Sequence, residues 1–308
     1  MSTNNTEESL IHWLNEQLKP VPPVEIGIGD DCALIQNRHP ILISTDMLLD
    51  SSCFLLHEAG GYKVGKKAMN VNLSDIAAMA GIPFAATISL GLPRQQGFSL
   101  AQTILKGVLA AAEPFQVQII GGDTNSWEGK CVVSVTIFGW PGKQGAVKRS
   151  GAKPGDWIMV TGELGGSILG KHLDFQPRIR EASQLANGVS LHSMIDISDG
   201  LALDLHRICE ASHCGARLFA EKIPISSAAI TQSAQDGKSA LDHALHDGED
   251  FELLFTVSSE DGKKLLIEEP ISPIKITHIG EIIDNGFWLQ RNNRDEILLR
   301  IGYEHTLN

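Results

Sequence analysis

The sequence of 308 residues has no long apolar run, few cysteines and no basic stripe, and each absence excludes a class of protein. No segment approaches the roughly 18 consecutive apolar residues that a membrane-spanning helix needs, so we predict no membrane partner. Five cysteines without a Cys-x-x-Cys pair argue against a disulfide framework and indicate a reducing compartment. The first eight residues carry neither a basic region nor an apolar core, so we expect no secretory signal and a cytoplasmic protein.

Positive charge is scarce, because the sequence has 25 Lys and Arg residues but 37 Asp and Glu residues, which gives a net charge of −12. We therefore expect no nucleic-acid partner, because no basic stripe is present to replace the counterions of a phosphate backbone. An anionic small substrate is not excluded, since Mg²⁺ held by acidic residues would invert the local field.

The length and the hydrophobic content of 43% are sufficient for two globular domains of ordinary size. A turn cluster, Pro141-Gly142-Lys-Gln-Gly145, is the best candidate boundary between them. The sequence therefore predicts an N-terminal domain over residues 1–141 and a C-terminal domain over residues 142–308.

Aspartates recur beside apolar runs in this chain. Asp196, Ser198 and Asp199 follow the end of a predicted strand and precede a predicted helix. Similar segments are Gly29-Asp30-Asp31, Ser44-Thr45-Asp46, Asn72-Leu-Ser-Asp75 and Gly121-Gly122-Asp123-Thr124. Helix capping requires one Asp per helix and explains none of the strand-end cases. Hard oxygen ligands that converge on Mg²⁺ explain all of them, so we expect a metal site.

The hydrophobic pattern predicts helices and strands in both halves without a regular βαβα alternation. Helices are predicted over 9–18, 63–80, 100–112 and 201–212, and strands over 41–46, 84–92, 117–120, 131–140, 157–161, 216–220 and 253–257. A polar loop is predicted near 233–239. This mixture favours an α+β (mixed α/β) fold over a doubly wound parallel sheet.

One segment matches most of a P-loop, namely Gly60, Gly65 and Lys66. The Ser or Thr that a P-loop needs next, to bind Mg²⁺, is replaced by Lys67, and the segment lies inside a predicted helix. We therefore reject a P-loop here.

Seven motifs in order resemble the thiamine-monophosphate kinases. They are Gly-Ile-Gly-Asp-Asp-Cys-Ala at 27–33, Ser-Thr-Asp at 44–46, Val-Asn-Leu-Ser-Asp-Ile-Ala-Ala-Met at 71–79, Gly-Gly-Asp-Thr at 121–124, Arg-Ser-Gly-Ala-Lys-Pro-Gly-Asp at 149–156, Ile-Asp-Ile-Ser-Asp-Gly-Leu at 195–201 and Gly-Glu-Asp-Phe-Glu-Leu at 248–253. The resemblance implies a two-domain fold of the aminoimidazole-ribonucleotide synthetase type, in which the N-terminal sheets of two subunits pair across a homodimer. It also implies phosphorylation of thiamine monophosphate to thiamine diphosphate, with ATP as co-substrate and Mg²⁺.

The resemblance further implies roles for individual residues. The metal ligands would be Asp30, Ser44, Thr45, Asp46, Asp75, Asp123, Asp196 and Asp199. ATP would contact Gly122, Arg149 and Ser198, and the thiamine substrate would contact Glu249 and the region of Cys53. We expect Asp199, Arg149 and Asp123 to be the catalytic residues.

Four positions depart from the family pattern on the substrate or adenine side. Cys53 stands where His is usual, Phe115 where Tyr is frequent, and Asp247 replaces a Gly, while the C-terminal aromatic is displaced towards Arg300 or Tyr303. Two alternatives therefore stay open. One is another ATP-using enzyme of the same superfamily, and the other is a non-catalytic MgATP-binding sensor.

Overall fold

The computed structural model describes residues 24–26, 30, 32–36, 40–95 and 97–304. The helix predicted over 9–18 lies outside these residues. The first six described strands form one sheet in the order β1-β2-β3-β6-β4-β5, in which only β4 and β5 run parallel. Their bounds are β1 Val24–Ile26, β2 Ala33–Ile35, β3 Ile41–Leu49, β4 Ile82–Pro93, β5 Gln118–Trp127 and β6 Val132–Trp140.

Two helices, α1 (Leu56–Ala78) and α2 (Gly97–Ala112), cover one face of this sheet. Alternate residues of β3, such as Leu42 and Leu48, are buried towards them, whereas Met47 is 59% exposed on the outer face. The face covered by the helices is called the inner face below.

The two helices cross closely through a pair of glycines. A Cβ atom on Gly65 would lie 1.9 Å from the carbonyl oxygen of Ile104, and one on Gly107 would lie 2.0 Å from that of Tyr62. Gly65, one of the glycines that resemble a P-loop, is therefore a helix-packing residue of α1. Its helical position agrees with the absence of a P-loop at this segment.

The second half forms a seven-stranded sheet in the order β13-β12-β9-β11-β7-β10-β8, in which only β9 and β12 run parallel. Its strands are β7 Trp157–Thr161, β8 Leu191–Asp196, β9 Gly215–Phe219, β10 Leu253–Val257, β11 Ile276–Ile283, β12 Phe287–Arg291 and β13 Arg294–Ile297. The helices of this half are α3 Ile179–Gly188, α4 Leu201–Ser212, α5 Ser227–Asp236, α6 Ala240–His246 and α7 Ser259–Glu268.

Helix α1 lies between the two sheets. One hydrophobic cluster joins its residues, such as Met69 and Leu73, to Phe175, Met194 and Phe251 of the second half. A second cluster lies between the seven-stranded sheet and α4. Each sheet is confined to one of the predicted domains, although the boundary between 141 and 142 itself stays a prediction.

Most predicted elements are present, and four differ. Helix α1, predicted from residue 63, begins at Leu56. Gly121-Gly122-Asp123-Thr124 lies inside β5, and Ser44-Thr45-Asp46 lies in the middle of β3, although both are predicted at strand ends. Sheet pairing decides these cases, because β5 pairs with β4 and β3 with β6 beyond the apolar runs. The polar loop near 233–239 begins later than predicted, because α5 continues to Asp236. Among the described residues, no helix combines the length and apolarity needed to cross a membrane.

Candidate active site

Two acidic motifs of the second half lie side by side. The segment after β8 and the segment before β10 continue the pairing of these strands, because the amide of Ile197 donates to the carbonyl of Glu252 at 2.8 Å and that of Glu249 to the carbonyl of Ser198 at 2.7 Å. Gly248 has φ +75, and a Cβ there would lie 2.6 Å from the Ser198 carbonyl oxygen. Glycine is therefore required where the two backbones meet.

Helix α1 brings the first half to this place through neighbouring residues. The Ser74 hydroxyl donates to Asp196 Oδ2 at 2.5 Å, and the Ser44 hydroxyl donates to Asp75. Asp196, Ser74 and Ser44 are all buried. The structure thus brings Ser44 and Asp196 to neighbouring residues of α1, while their role as metal ligands stays a prediction.

Asp199 belongs to a second acidic group at the start of α4. Arg207 binds Asp199 at 2.5 Å and Asp204 at 2.7 Å, and the Asp199 amide donates to Asp204 at 3.1 Å. Burial, together with the charge of Asp199, raises the pKa of Asp204 to about 7, while Arg207 opposes the rise. Burial alone would lower the pKa of Arg207, but the charges of Asp204 and Asp199 raise it.

Arg149 faces the same group, since its charge lowers the pKa of both Asp204 and Arg207. Its backbone amide donates to Asp30 Oδ1 at 3.4 Å, and its carbonyl accepts from the Ser212 hydroxyl at 3.2 Å. The predicted ligand Asp30 therefore lies beside the predicted ATP contact Arg149.

The two predicted substrate residues meet at Lys67. Its ammonium donates to Glu249 Oε1 at 2.5 Å and to the carbonyl oxygen of Cys53 at 2.7 Å. The Cys53 thiol is directed elsewhere, because its sulfur accepts from the Leu49 amide at 3.5 Å. Cys53 thus reaches this site through its backbone.

Two further acids, Asp250 and Glu252, hold the backbone that follows Glu249. Asp250 accepts from the Gly165 amide at 2.9 Å and from the Ser167 hydroxyl at 2.6 Å, and burial raises its pKa to about 6. Glu252 is buried and binds Arg178 through both oxygens, at 2.8 and 2.7 Å. These contacts fix the backbone on which Glu249 stands.

Gly122, Asp123 and Thr45 lie apart from these residues. Asp123 is in register with Ser89, Ser134 and Met47 across β5, β4, β6 and β3. Three strand spacings, or roughly 14 Å, therefore separate Asp123 from β3. Residues in register share a face, so Asp123 and Thr45 lie on the outer face and Asp46 on the inner face.

That all eight predicted ligands converge on one site, within one chain or across two subunits, stays a prediction. Within the described ranges, no three His, Cys, Asp or Glu side chains come close enough together to hold a metal ion. The Asp123 side chain in particular lies on the opposite face of the sheet from Asp46.

A cavity of about 250 Å³ lies beside α1, and none of the predicted site residues lines it. Its walls include Lys66, Asn70, Phe115, Phe175 and Arg180. Phe175 stacks on Phe251 with ring centroids 3.9 Å apart, which connects the cavity wall to the motif of Glu249.

Sequence reasoning missed Lys67 and Arg207 as members of the site. Lys67 could have been noticed, because it occupies the apolar side of a helix between Val64 and Val71. Arg207 lies three residues after Asp204 on α4, a spacing that places oppositely charged side chains together.

Comparison with known proteins agrees with this fold. Residues 29–140 match the family model of the AIR synthase related protein N-terminal domain, and residues 153–287 match that of the C-terminal domain. A thiamine-monophosphate kinase of Rhodopirellula baltica is 39% identical over 292 residues, which cover 92% of this chain and 91% of the relative.

Two solved structures are similar along almost the whole chain. AaThiL complexed with AMPPCP and TMP has a TM-score of 0.84 at 27% identity and covers 97% of each chain. A thiamine monophosphate kinase from Aquifex aeolicus has a TM-score of 0.79 at 27% identity and covers 94% of this chain and 97% of its own. The chain therefore belongs to the thiamine-monophosphate kinase family of AIR-synthase-related proteins.

Proposed function

We propose that this protein transfers the γ-phosphoryl group of ATP to the phosphate of thiamine monophosphate, giving thiamine diphosphate and ADP. The observation that carries the proposal is similarity along both halves of the chain to named thiamine-monophosphate kinases, one of which is 39% identical over 92% of this chain. A neighbour with a TM-score of 0.84 was solved with AMPPCP and TMP.

The reaction suits a site that is rich in acids. The acceptor is a phosphate oxygen that is already ionised at neutral pH, so no general base is required. This oxygen bonds to the γ-phosphorus as the bond to the β–γ bridging oxygen breaks, and ADP leaves with the electron pair. Because two anions must approach each other, catalysis rests on positioning and on neutralisation of charge. Arg149 supplies a positive charge that acts on the acidic group at the start of α4, and we assign Arg149, Gly122 and Ser198 to ATP contacts.

Magnesium fits the chemistry of the donors, because the proposed ligands offer carboxylate and hydroxyl oxygens. Asp46 lies on the inner face of the six-stranded sheet, and Thr45 and Asp123 lie on its outer face. The other proposed ligands are Asp30, Ser44, Asp75, Asp196 and Asp199. Bound magnesium supplies charge neutralisation to the phosphates. Asp123 lies on the outer face of the sheet, whereas Asp75 lies on α1, which covers the inner face. We therefore assign them to different ions when both belong to one chain.

We further propose a homodimer in which the outer faces of two six-stranded sheets pair. Met47 and Leu49 on this face are 59% and 36% exposed, and the edge strand β5 is exposed over most of its length. Exposed apolar side chains that lie together indicate an interaction surface. In such a dimer Gly122 and Asp123 would lie at or near the subunit contact, which explains their separation from the other site residues.

Incubation of the protein with MgATP and thiamine monophosphate, followed by separation of the thiamine phosphates, tests the activity. We expect thiamine diphosphate and ADP in equal amounts. Nucleotide binding without thiamine diphosphate would contradict the proposal and would support the non-catalytic sensor. Turnover of a different acceptor would support another enzyme of the superfamily.

A further inference from the structure

Lys67 is a fully buried lysine in the middle of α1. Its relative exposure is 0%, and its helix neighbours Val64, Ala68 and Val71 are buried apolar residues. A buried ammonium is costly unless it is paired and hydrogen-bonded. Lys67 meets both conditions through Glu249 and the Cys53 carbonyl. It thereby connects the helix of the first half to the acidic motif of the second half.

Glu249 is held in an unusual backbone conformation beside Lys67. Its φ is +54, which is uncommon for a residue other than glycine, and Phe251, two residues later, has φ +50. Such conformations persist where surrounding contacts enforce them, and they are frequent at functional sites. Here the Glu249 amide donates to the Ser198 carbonyl at 2.7 Å, which holds the backbone. Lys67 holds the carboxylate at the other end of the side chain.

The two carboxylate oxygens of Glu249 differ in their contacts. Oε1 accepts from Lys67, and no hydrogen bond from a described residue reaches Oε2. The side chain is 36% exposed, so a ligand can approach it from solvent. Lys67 itself has no exposed surface and cannot touch a ligand without rearrangement.

The pairing changes what Glu249 can recognise. An unpaired carboxylate would attract any cation and would repel the phosphate of the substrate. A carboxylate neutralised by Lys67 instead offers an oriented acceptor for an N–H donor. Thiamine monophosphate carries such a donor in the amino group of its pyrimidine ring, whereas its thiazolium ring carries charge without an N–H.

We propose that Lys67 is a positioning and specificity-determining residue, which fixes Glu249 so that Oε2 accepts a hydrogen bond from the amino group of the substrate pyrimidine. The inference rests on the proposed function. It adds which part of the substrate Glu249 binds, and it names Lys67 as the residue that orients Glu249.

The test compares Lys67→Met with wild type, using thiamine monophosphate and its analogue in which a carbonyl oxygen replaces the amino group. Wild type should prefer the amino substrate by about a hundredfold or more in kcat/KM, because a site built to bond a donor rejects an analogue without it. In Lys67→Met we expect KM for thiamine monophosphate to rise about tenfold, with kcat changed by less than about threefold. KM for ATP should stay the same, and the preference for the amino substrate should fall by about tenfold.

Three controls separate positioning from folding. Lys66→Met removes the adjacent lysine, which pairs with Asp174 at the surface, and should leave all these values unchanged. The double variant Lys67→Met/Glu249→Gln should raise KM no more than the larger of the single changes, since both act through one contact. If Lys67→Met fails to fold, Lys67→Gln retains a donor for Glu249, and Glu249→Gln alone should lose the preference for the amino substrate.

An unchanged KM and preference in a folded Lys67 variant would overturn the inference, as would additive effects in the double variant. Equal turnover of both substrates by wild type would overturn it as well. A fall in kcat without a change in KM would instead assign Lys67 to the chemical step. A wild-type protein that does not phosphorylate thiamine monophosphate would contradict the proposed function, which is a different outcome.

Discussion

Asp199 is the residue at which a structural role and the proposed catalytic role overlap. Arg207 binds its carboxylate at 2.5 Å, and the amide of Tyr303 donates to its carbonyl oxygen at 2.9 Å. The proposed role requires the same carboxylate to bind a cation, so Arg207 and that cation would share or compete for it. A change at Asp199 that keeps the side-chain shape separates the two roles.

Asp199→Asn should reduce kcat by roughly a hundredfold or more while the protein stays folded, because the amide keeps a hydrogen bond to the surroundings but loses the charge. Steady-state kinetics with thiamine monophosphate, together with circular dichroism, check this expectation. Asp284→Asn, an exposed position in the turn before β12, is the matched control and should be neutral. Near-normal turnover in Asp199→Asn would remove Asp199 from the proposed metal ligands.

Asp250 should make stability depend on pH in a direction opposite to that of an ordinary surface acid. Burial raises its pKa in the folded state to about 6 from the usual 3.8, so the folded state holds the proton more tightly than the unfolded state. The stabilisation is complete below pH 3.8 and is lost as the pH rises to about 6. A difference of 6 − 3.8 pKa units corresponds to about 3 kcal/mol.

The comparison of wild type with Asp250→Asn measures this effect. The free energy of unfolding of each protein is determined with urea between pH 4 and 7. The value for wild type minus the value for Asp250→Asn should decrease as the pH rises. The comparison cancels the other titrating groups. A difference that increases with pH would mean that the folded protein lowers the pKa of Asp250.

At the scale of elements, the crossing of α1 and α2 depends on small residues. Gly65 and Gly107 bring each helix within van der Waals contact of the other's backbone, at Ile104 and Tyr62. The same helix α1 carries Lys67, Ser74 and Asp75, so the crossing also determines where these side chains lie. Packing in this region therefore connects directly to the proposed site.

Gly65→Ala should destabilise the protein by about 2 kcal/mol or more, because the new Cβ would lie 1.9 Å from a backbone oxygen and the helices must separate. Thermal and urea unfolding measure the change. Gly188→Ala is the control, since nothing lies within 4 Å of its Cβ and alanine is favoured in a helix. Equal stability of the two variants would show that the crossing adapts without cost.

For the whole molecule, the predicted ligands are divided between two places in the chain. Asp75 lies on α1, between the two sheets, and Asp196 is bonded to its neighbour Ser74. Asp123 instead lies on an exposed edge strand about 14 Å from β3. The proposed pairing of outer faces would bury Met47 and Leu49 and bring a second copy to Asp123.

Met47→Asp should convert the proposed dimer to a monomer, because a charge on the outer face would be buried in the contact. Sedimentation velocity over a range of concentrations measures the oligomeric state. Ile267→Asp changes another exposed apolar side chain, 82% exposed on α7, and should leave the dimer intact. A wild-type protein that sediments as a monomer at all concentrations would contradict the homodimer.

The sequence by itself determined the mixed α and β composition, most element positions and the family, because hydrophobic periodicity and the acidic motifs are local properties of the chain. Helix α4 and strand β10 lie where the pattern predicts them. The rejection of a P-loop also followed from local sequence, since Lys67 replaces the residue that a P-loop requires.

Tertiary structure decided which of these local features meet. No local signal reveals that Lys67 reaches Glu249, which is 182 residues away in the chain. Nor does the spacing of the aspartates reveal that Asp123 and Asp46 lie on opposite faces, since that depends on the register of four strands. Contacts between distant residues are set by how strands pair and helices pack, and these depend on the whole chain at once.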